Sequence, residues 1–316
     1  MRAVGGRCER SHEGGRTYGK ATYHTVDTHS LDLQLFIFRM CMPALPMPLM
    51  PMMSKARRAF WGWAAACTLV GCATSAQIKP EDIPGSAAET EVHRLAKTRL
   101  QLAALHFEEG RIEVAMGEVA QALQAYPRYV DAFNLKGWMH LSQRDYQAAN
   151  DSFAHALALR PNDADTLYNL GWLNCQQKKF AEADRQLTAS LEAPRANGAS
   201  NVRTWLAKGV CLRQAGALEQ ALIALKKAHE IEPGNPMIAY SFSEVLFAQG
   251  QIERARFYVR RINNGQWASA ESLWLGIKVE RRLGDIVAMR QLADQLNKRF
   301  PNSKEWQRFE RGAFDE

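Results

Sequence analysis

Cys72 has the position in this chain of 316 residues that most clearly indicates a chemical modification. It ends the run Leu69-Val70-Gly71-Cys72, which closes an apolar segment from Ala59 to Val70. Basic side chains precede that segment in Lys55-Ala56-Arg57-Arg58. A cysteine thiol can take a diacylglycerol by a thioether, and cleavage before it leaves an amine for a further acyl chain. The apolar segment is too short to span a bilayer as a helix, which needs about 20 residues, so it predicts a cleaved export signal.

The run around Cys72 resembles the lipobox of bacterial lipoproteins, with a branched apolar residue three places before the cysteine and a small residue directly before it. Several acyl chains, each contributing about 0.8 kcal/mol per buried CH2, would make the anchor effectively permanent. In such lipoproteins an Asp after the cysteine usually means retention in the inner membrane. Ala73 stands there in this chain, so the resemblance implies the periplasmic face of the outer membrane.

The segments on either side of Cys72 lack the periodicity of a folded domain. Residues 1–52 mix Gly, Arg and His with a Met/Pro run, and we expect them to be a non-native upstream extension. Translation would then start at Met53, or at Met50 or Met52, and residues 53–71 would form the signal peptide. The alternative is a long basic region before the signal. Residues 72–95, with two prolines and a glycine, predict a lipidated cysteine on a flexible tether.

The basic excess of the chain lies in the predicted extension and signal. The formal net charge is +7, but residues 1–71 hold nine Lys and Arg against four Asp and Glu. The remaining residues have a net charge of only +2. Nucleic acid is therefore not an expected partner.

A small residue followed twelve positions later by Ala recurs through the rest of the chain. Gly137 and Gly171 are 34 residues apart, Gly209 follows after 38, and Ser243 and Gly276 follow after 34 and 33. The alanines and the prolines that close several units are Ala149, Ala183, Ala221, Ala255, Ala288, Pro127, Pro161, Pro233 and Pro301. This spacing resembles the tetratricopeptide repeat, in which small residues let two antiparallel helices pack closely.

One such helix pair cannot bury its apolar faces alone, so the repeats predict an all-α fold in which stacked pairs form a right-handed superhelix, an α-solenoid. We expect six pairs over residues 96–302, with boundaries near 96–129, 130–163, 164–197, 202–235, 236–268 and 269–302. Residues 303–316 would form a capping helix and a tail.

The sequence holds no motif of a known catalytic or metal site. HExxH, GxSxG, the P-loop and GxGxxG are all absent, and the histidines that follow Cys72 are scattered. We therefore predict a protein that is not an enzyme and that needs no metal and no cofactor besides a covalent lipid. Cys175 and Cys211 fall on neighbouring first helices, where two buried thiols are favoured over a disulfide.

The first helices of such arrays line a concave groove, into which repeat positions 2, 5, 9, 12 and 13 tend to point. These positions predict a groove that is aromatic with polar edges and that suits a peptide. The candidate contact residues are Asn134, Trp138, Leu141, Tyr168, Trp172, Gln176, Arg203 and Arg213. The alternative is that Trp138 and Trp172 pack between repeats.

The chain also resembles the tetratricopeptide outer-membrane lipoproteins of type IV pilus biogenesis, the pilotins of the pilus secretin. The resemblance lies in Cys72, the six repeats, Tyr168-Asn169-Leu170-Gly171, and the run from Ser272 to Ile277 with the later Phe300-Pro301. It implies a monomeric adaptor that binds secretin subunits and other pilus assembly proteins, and that promotes secretin localisation and multimerisation. The alternative is a scaffold of another envelope machine, such as barrel assembly, polysaccharide export or regulation of a peptidoglycan enzyme.

Overall fold

A computed structural model describes residues 91–194 and 200–315. Cys72, the export signal and residues 1–90 therefore lie outside the described residues, as do residues 195–199. All regular structure in the described part is helical, and no helix there combines the length and the apolar character that a membrane span requires. The helices are α1 (Glu91–Glu108), α2 (Ile112–Ala125), α3 (Val130–Ser142), α4 (Tyr146–Leu159), α5 (Ala164–Gln176), α6 (Phe180–Glu192), α7 (Val202–Gln214), α8 (Leu218–Ile231), α9 (Pro236–Ala248), α10 (Ile252–Asn263), α11 (Ala270–Leu283), α12 (Ile286–Arg299) and α13 (Lys304–Glu310).

Helices α1 to α12 form six successive pairs, so the predicted all-α solenoid is confirmed. Helix α13 contacts both helices of the last pair and covers the end of the array. The first helix begins at Glu91, before residue 96, where the repeat domain was expected to start. The last five residues of the predicted tether, 91–95, are thus helical.

The recurring glycines allow the close approach within three of the pairs. A Cβ atom on Gly137 would lie 2.3 Å from the Phe153 ring, and one on Gly171 would lie 2.6 Å from Leu187. Gly209 has the same relation to Leu225, at 2.4 Å. In each case the large residue follows the glycine by sixteen positions and is fully buried. A side chain at the glycine position would therefore push the two helices apart.

The turn inside each pair needs one residue in the left-handed region. Four pairs use glycine, for example Gly216 with φ of 80°, whereas the second and third pairs use Arg144 and Lys178 with φ of 61° and 58°. Side chains cap the starts of several helices, for example that of α5, where Asp163 accepts a hydrogen bond from the backbone N–H of Thr166.

A buried carboxylate ties the fifth pair to the sixth. Glu280, only 1% exposed, accepts hydrogen bonds from Arg256 and Arg260 on the preceding helix. Arg256 also donates to Asp285 at 2.7 Å, and Asp285 accepts the backbone N–H of Ala288 at the start of α12. This cluster satisfies a charge that would be costly to bury alone.

Candidate functional site

The predicted aromatic contact residues lie between repeats rather than on an open groove. Trp138 is 5% exposed, Leu141 is 1% exposed, and Tyr168 and Trp172 are closed to solvent. A partner cannot reach these four side chains in this conformation, so the prediction that they face a ligand is wrong. The alternative of packing between repeats holds, because these large side chains fill the space between neighbouring first helices.

A ladder of buried hydrogen bonds fixes this packing. Asn134 donates to the Thr166 hydroxyl at 2.9 Å, and Asn169 donates back to the Asn134 carbonyl oxygen at 3.0 Å. The indole N–H of Trp138 donates to Asn169 at 2.8 Å. Asn134 is therefore a structural residue that joins the second pair to the third, and it is not a contact for a partner.

The other three predicted groove residues are partly exposed. Gln176 is half-buried at the end of α5. The Arg203 guanidinium lies 4.2 Å above the Tyr168 ring and pairs with Asp165, so it covers the surface of the third pair. Arg213 lies farther along the array and borders an open cavity.

Cys175 and Cys211 form a disulfide, which corrects the expectation of two buried thiols. Their Cα atoms are 5.7 Å apart, within the range that a disulfide allows. The bond joins α5 to α7, and both residues are buried between these adjacent first helices. It crosses the boundary at which the repeat spacing lengthens from 34 to 38 residues.

The concave side opens into a cavity at the C-terminal end, which we call the C-terminal pocket. It has a volume of about 520 Å³ and is lined by α7, α9, α11 and α13, with Ile262 of α10 and the loop before α11. Polar and charged side chains alternate there with aromatic ones. The charged and aromatic residues of its lining are Arg213, Tyr240, Glu244, Trp267, Glu271, Trp274, Lys278, Glu305 and Arg308.

Charges in the C-terminal pocket are only partly compensated. Glu244 accepts a hydrogen bond from the Tyr240 hydroxyl at 3.2 Å and pairs loosely with Arg213 at 3.4 Å. Burial raises the pKa of the Glu244 carboxyl, although the charge of Arg213 opposes this rise. Burial lowers the pKa of the Lys278 ammonium, Glu244 partly offsets that effect, and Arg308 lowers the pKa further. The pocket therefore holds charges that an appropriate ligand would stabilise.

The rule that predicted the groove also identifies part of this pocket. Positions 2, 5 and 9 of the fifth pair are Met237, Tyr240 and Glu244, and all three line the cavity. In the sixth pair the lining residues Trp274 and Lys278 come one position later than the rule expects.

Within residues 91–194 and 200–315, no three His, Cys, Asp or Glu side chains come together as a group that could hold a metal ion. The chemistry of the C-terminal pocket is thus that of ion pairs, hydrogen bonds and aromatic contact. Such a surface suits a polypeptide segment.

Comparison with known proteins agrees with this architecture. One model of the tetratricopeptide repeat matches residues 140–206 and 212–272, and a second matches residues 100–164. Together they match more than half of the chain. Among curated proteins no match is found.

Many solved structures share the fold, among them the following three. PilF of Pseudomonas aeruginosa has a TM-score of 0.62 and 23% identity, covering 70% of this chain and 99% of PilF. PilW, a widely conserved type IV pilus biogenesis factor, has a TM-score of 0.62 and 24% identity, covering 68% of this chain and 97% of PilW. A tetratricopeptide repeat protein from Parabacteroides merdae has a TM-score of 0.53 and 14% identity, covering 69% of this chain and 83% of that protein.

The repeat matches extend over five of the six helix pairs seen in the structure, and the shared fold includes proteins of type IV pilus biogenesis. No catalytic family is among the matches. This chain belongs to the tetratricopeptide repeat family, whose members are typically protein-interaction scaffolds.

Proposed function

We propose that this protein is an outer-membrane lipoprotein adaptor of type IV pilus biogenesis. It binds secretin subunits and promotes their localisation and multimerisation, and it performs no bond-breaking chemistry of its own. The observation that carries the proposal is the shared solenoid of PilF and PilW, which extends over nearly the whole length of both proteins. The lipobox-like run before Cys72 supports the membrane location.

The parts of the chain fit this role physically. A lipid on Cys72 would hold the protein at the membrane, and the following tether would let the solenoid reach a client. A client bound to the solenoid would then be held at high effective concentration beside the membrane into which it inserts. The disulfide between Cys175 and Cys211 suits an oxidising compartment such as the periplasm, which supports export.

The lipid anchor can be tested with two cysteine variants. Cys72→Ser removes the thiol that would carry the lipid, whereas Cys67→Ser changes a cysteine inside the apolar segment and is the matched control. We expect the Cys72→Ser protein to be absent from the outer-membrane fraction. In the same strain, secretin multimers should be lost or misplaced. The control should leave both unchanged. Normal secretin multimers in the Cys72→Ser strain would contradict the proposal.

A crosslinked pull-down from the cell envelope, with the lipidated protein as bait, tests the partner directly. Recovery of secretin subunits and other pilus proteins supports the proposal. Recovery of a barrel-assembly, polysaccharide-export or peptidoglycan protein instead would replace it with a scaffold of that machine.

A further inference from the structure

The C-terminal pocket contains two neighbouring cations without a close ion-pair partner among the described residues. Within the described residues no carboxylate lies within 4.0 Å of the Lys278 ammonium or of the Arg308 guanidinium. Lys278 is instead positioned over aromatic rings, 5.7 Å from the centroid of Trp274 and 5.8 Å from that of Phe247. The two positive charges also act on each other unfavourably, because Arg308 disfavours the charged form of Lys278.

A third cation of the same pocket has unused hydrogen-bonding capacity. The Arg213 guanidinium makes a single loose ion pair with Glu244, and its buried Nε has no acceptor. Buried donors without an acceptor are uncommon in folded proteins, and each calls for an explanation such as a missing ligand. A guanidinium is also the group best suited to hold a carboxylate by two parallel hydrogen bonds.

The pocket also contains three carboxylates, so their state decides its net preference. Glu244 is engaged by Tyr240 and Arg213, and its pKa is raised by burial. Glu305 is 3% exposed, so it offers a ligand little surface, whereas Glu271 is half-buried. Lys278 and Arg308 have no carboxylate within 4.0 Å among the described residues, so they are the charges with which an anionic group of a ligand can pair.

Aromatic surface accompanies these cations. Trp267, at the edge of the cavity, is 59% exposed, which is unusual for so large an apolar side chain. The indole ring of Trp274 stacks on Phe314 with ring centroids 5.4 Å apart. Exposed tryptophan beside arginine is the composition found at the energetic centres of protein interfaces.

The protein's own tail shows which chemistry this edge of the pocket accepts. Phe314 lies against Trp274 and under the Arg281 guanidinium, which is 3.9 Å from its ring centroid. The next residue, Asp315, favours the charged form of Lys278. An aromatic side chain followed by a carboxylate is thus already present at one edge, while the cavity itself has room for a further segment.

From these contacts we infer that the C-terminal pocket binds an extended segment of a partner protein in which aromatic residues alternate with Asp or Glu. The carboxylates pair with Lys278, Arg308 and Arg213, and the aromatic side chains lie against the exposed ring of Trp267. The inference rests on the proposed function in taking the pocket as the place where the adaptor holds its client.

A synthetic probe tests the pocket apart from any pilus protein. The probe is a fluorescein-labelled peptide with Phe-Glu-Phe-Glu between Gly and Ser residues, and its control has Gln in place of Glu. Fluorescence anisotropy with the purified full-length protein in detergent should show binding of the Glu peptide, weakening as salt is added. The Gln peptide should bind at least about tenfold more weakly, because the loss of a single charge-assisted hydrogen bond already costs about that factor.

Two variants identify the site. Lys278→Met keeps an unbranched apolar stem over Trp274 but removes the charge, and it should weaken the Glu peptide about tenfold while leaving the Gln peptide unchanged. Lys304→Met, an exposed position of α13 outside the pocket, is the matched control and should bind normally. Arg308→Gln is the second pocket variant. Circular dichroism of each variant checks that it is folded. Equal binding of the two peptides, no binding of either, or normal binding by both pocket variants would overturn the inference.

The pull-down separates this inference from the proposed function. Peptide results as expected, with no pilus protein among the crosslinked partners, would leave the pocket chemistry standing and reject the pilus role. Undiminished recovery of secretin subunits by Lys278→Met would support the pilus role and reject the pocket as the place where the client binds.

Discussion

Reduction of the disulfide between Cys175 and Cys211 should destabilise the solenoid at the boundary between its third and fourth pairs. The two cysteines are 36 positions apart, so the bond closes a loop of about 37 residues. In the chain-entropy model such a loop contributes about 4 kcal/mol, because the cross-link restricts the unfolded chain. For a chain of this size about 1 kcal/mol shifts the melting temperature by about 2–4 °C, so reduction should lower it by about 8–16 °C.

Thermal unfolding followed by far-UV circular dichroism, with and without reductant, measures this effect. Reduction of the wild-type protein is the cleaner perturbation, because it leaves both sulfur atoms in place and opens no cavity. The double variant Cys175→Ala, Cys211→Ala should melt near the reduced wild type, and reductant should not lower its melting temperature further. Both cysteines are buried, so the variant also carries a small cost for the lost side-chain volume.

Reduction without a loss of stability would refute the role assigned to the disulfide. If thiol titration shows that both cysteines are reduced and the melting temperature stays within about 2 °C of the oxidised protein, loop closure contributes little here. Repeat arrays can also unfold in parts, so a second melting transition that appears only on reduction would show that one part of the array has become less stable than the rest. Proteolysis confined to the loop between α6 and α7 would identify that boundary.

Three further predictions follow from single positions, all measured by thermal or denaturant unfolding. Gly171→Ala places a Cβ 2.6 Å from the buried Leu187 and should lower the free energy of unfolding by about 1–3 kcal/mol. Gly117→Ala, whose Cβ would meet no atom within 4 Å, is the control and should be neutral or stabilising. Equal effects of the two variants would show that the helix pair does not require glycine at position 171. Lys178 is held at a positive φ, which glycine adopts without strain, so Lys178→Gly should raise the free energy of unfolding by up to about 1 kcal/mol. A lower free energy of unfolding in this variant would contradict the prediction. The hydrogen bond from the Ala288 N–H lowers the pKa of Asp285, so the Asp285 carboxylate should stabilise the fold at neutral pH and lose this effect as the pH falls through the lowered pKa. Asp285→Asn should therefore reduce the loss of unfolding free energy at acidic pH. An acid dependence equal to that of the wild type would contradict this prediction.

The fold could be predicted from the sequence because its determinants recur at a fixed spacing. Gly137, Gly171 and Gly209 each face a large residue in the partner helix, and this requirement is visible as a period of small residues. The ends of the pairs followed from prolines and turn residues for the same reason. The disulfide could not be decided this way, because Cys175 and Cys211 lie on different helices and their distance depends on how the pairs stack.

The binding surface was harder to predict, because the orientation of a side chain does not tell whether space remains around it. Tyr168 and Trp172 occupy repeat positions that point towards the groove, and yet their own volume fills the gap to the next first helix. Tyr240 and Glu244 occupy the equivalent positions in the fifth pair and line an open cavity. The position in the repeat is the same, and the packing around it differs.

The difference between the two halves follows from the cost of burying charge. In the second and third pairs the groove positions hold aromatic and amide side chains, which can close on each other because Asn134, Asn169 and Trp138 satisfy one another's hydrogen bonds. In the C-terminal half the corresponding surface holds Arg213 and Lys278, which would lose hydration if the same gap closed. The groove is therefore filled in the second and third pairs, and a cavity remains in the C-terminal half, where charged side chains resist burial.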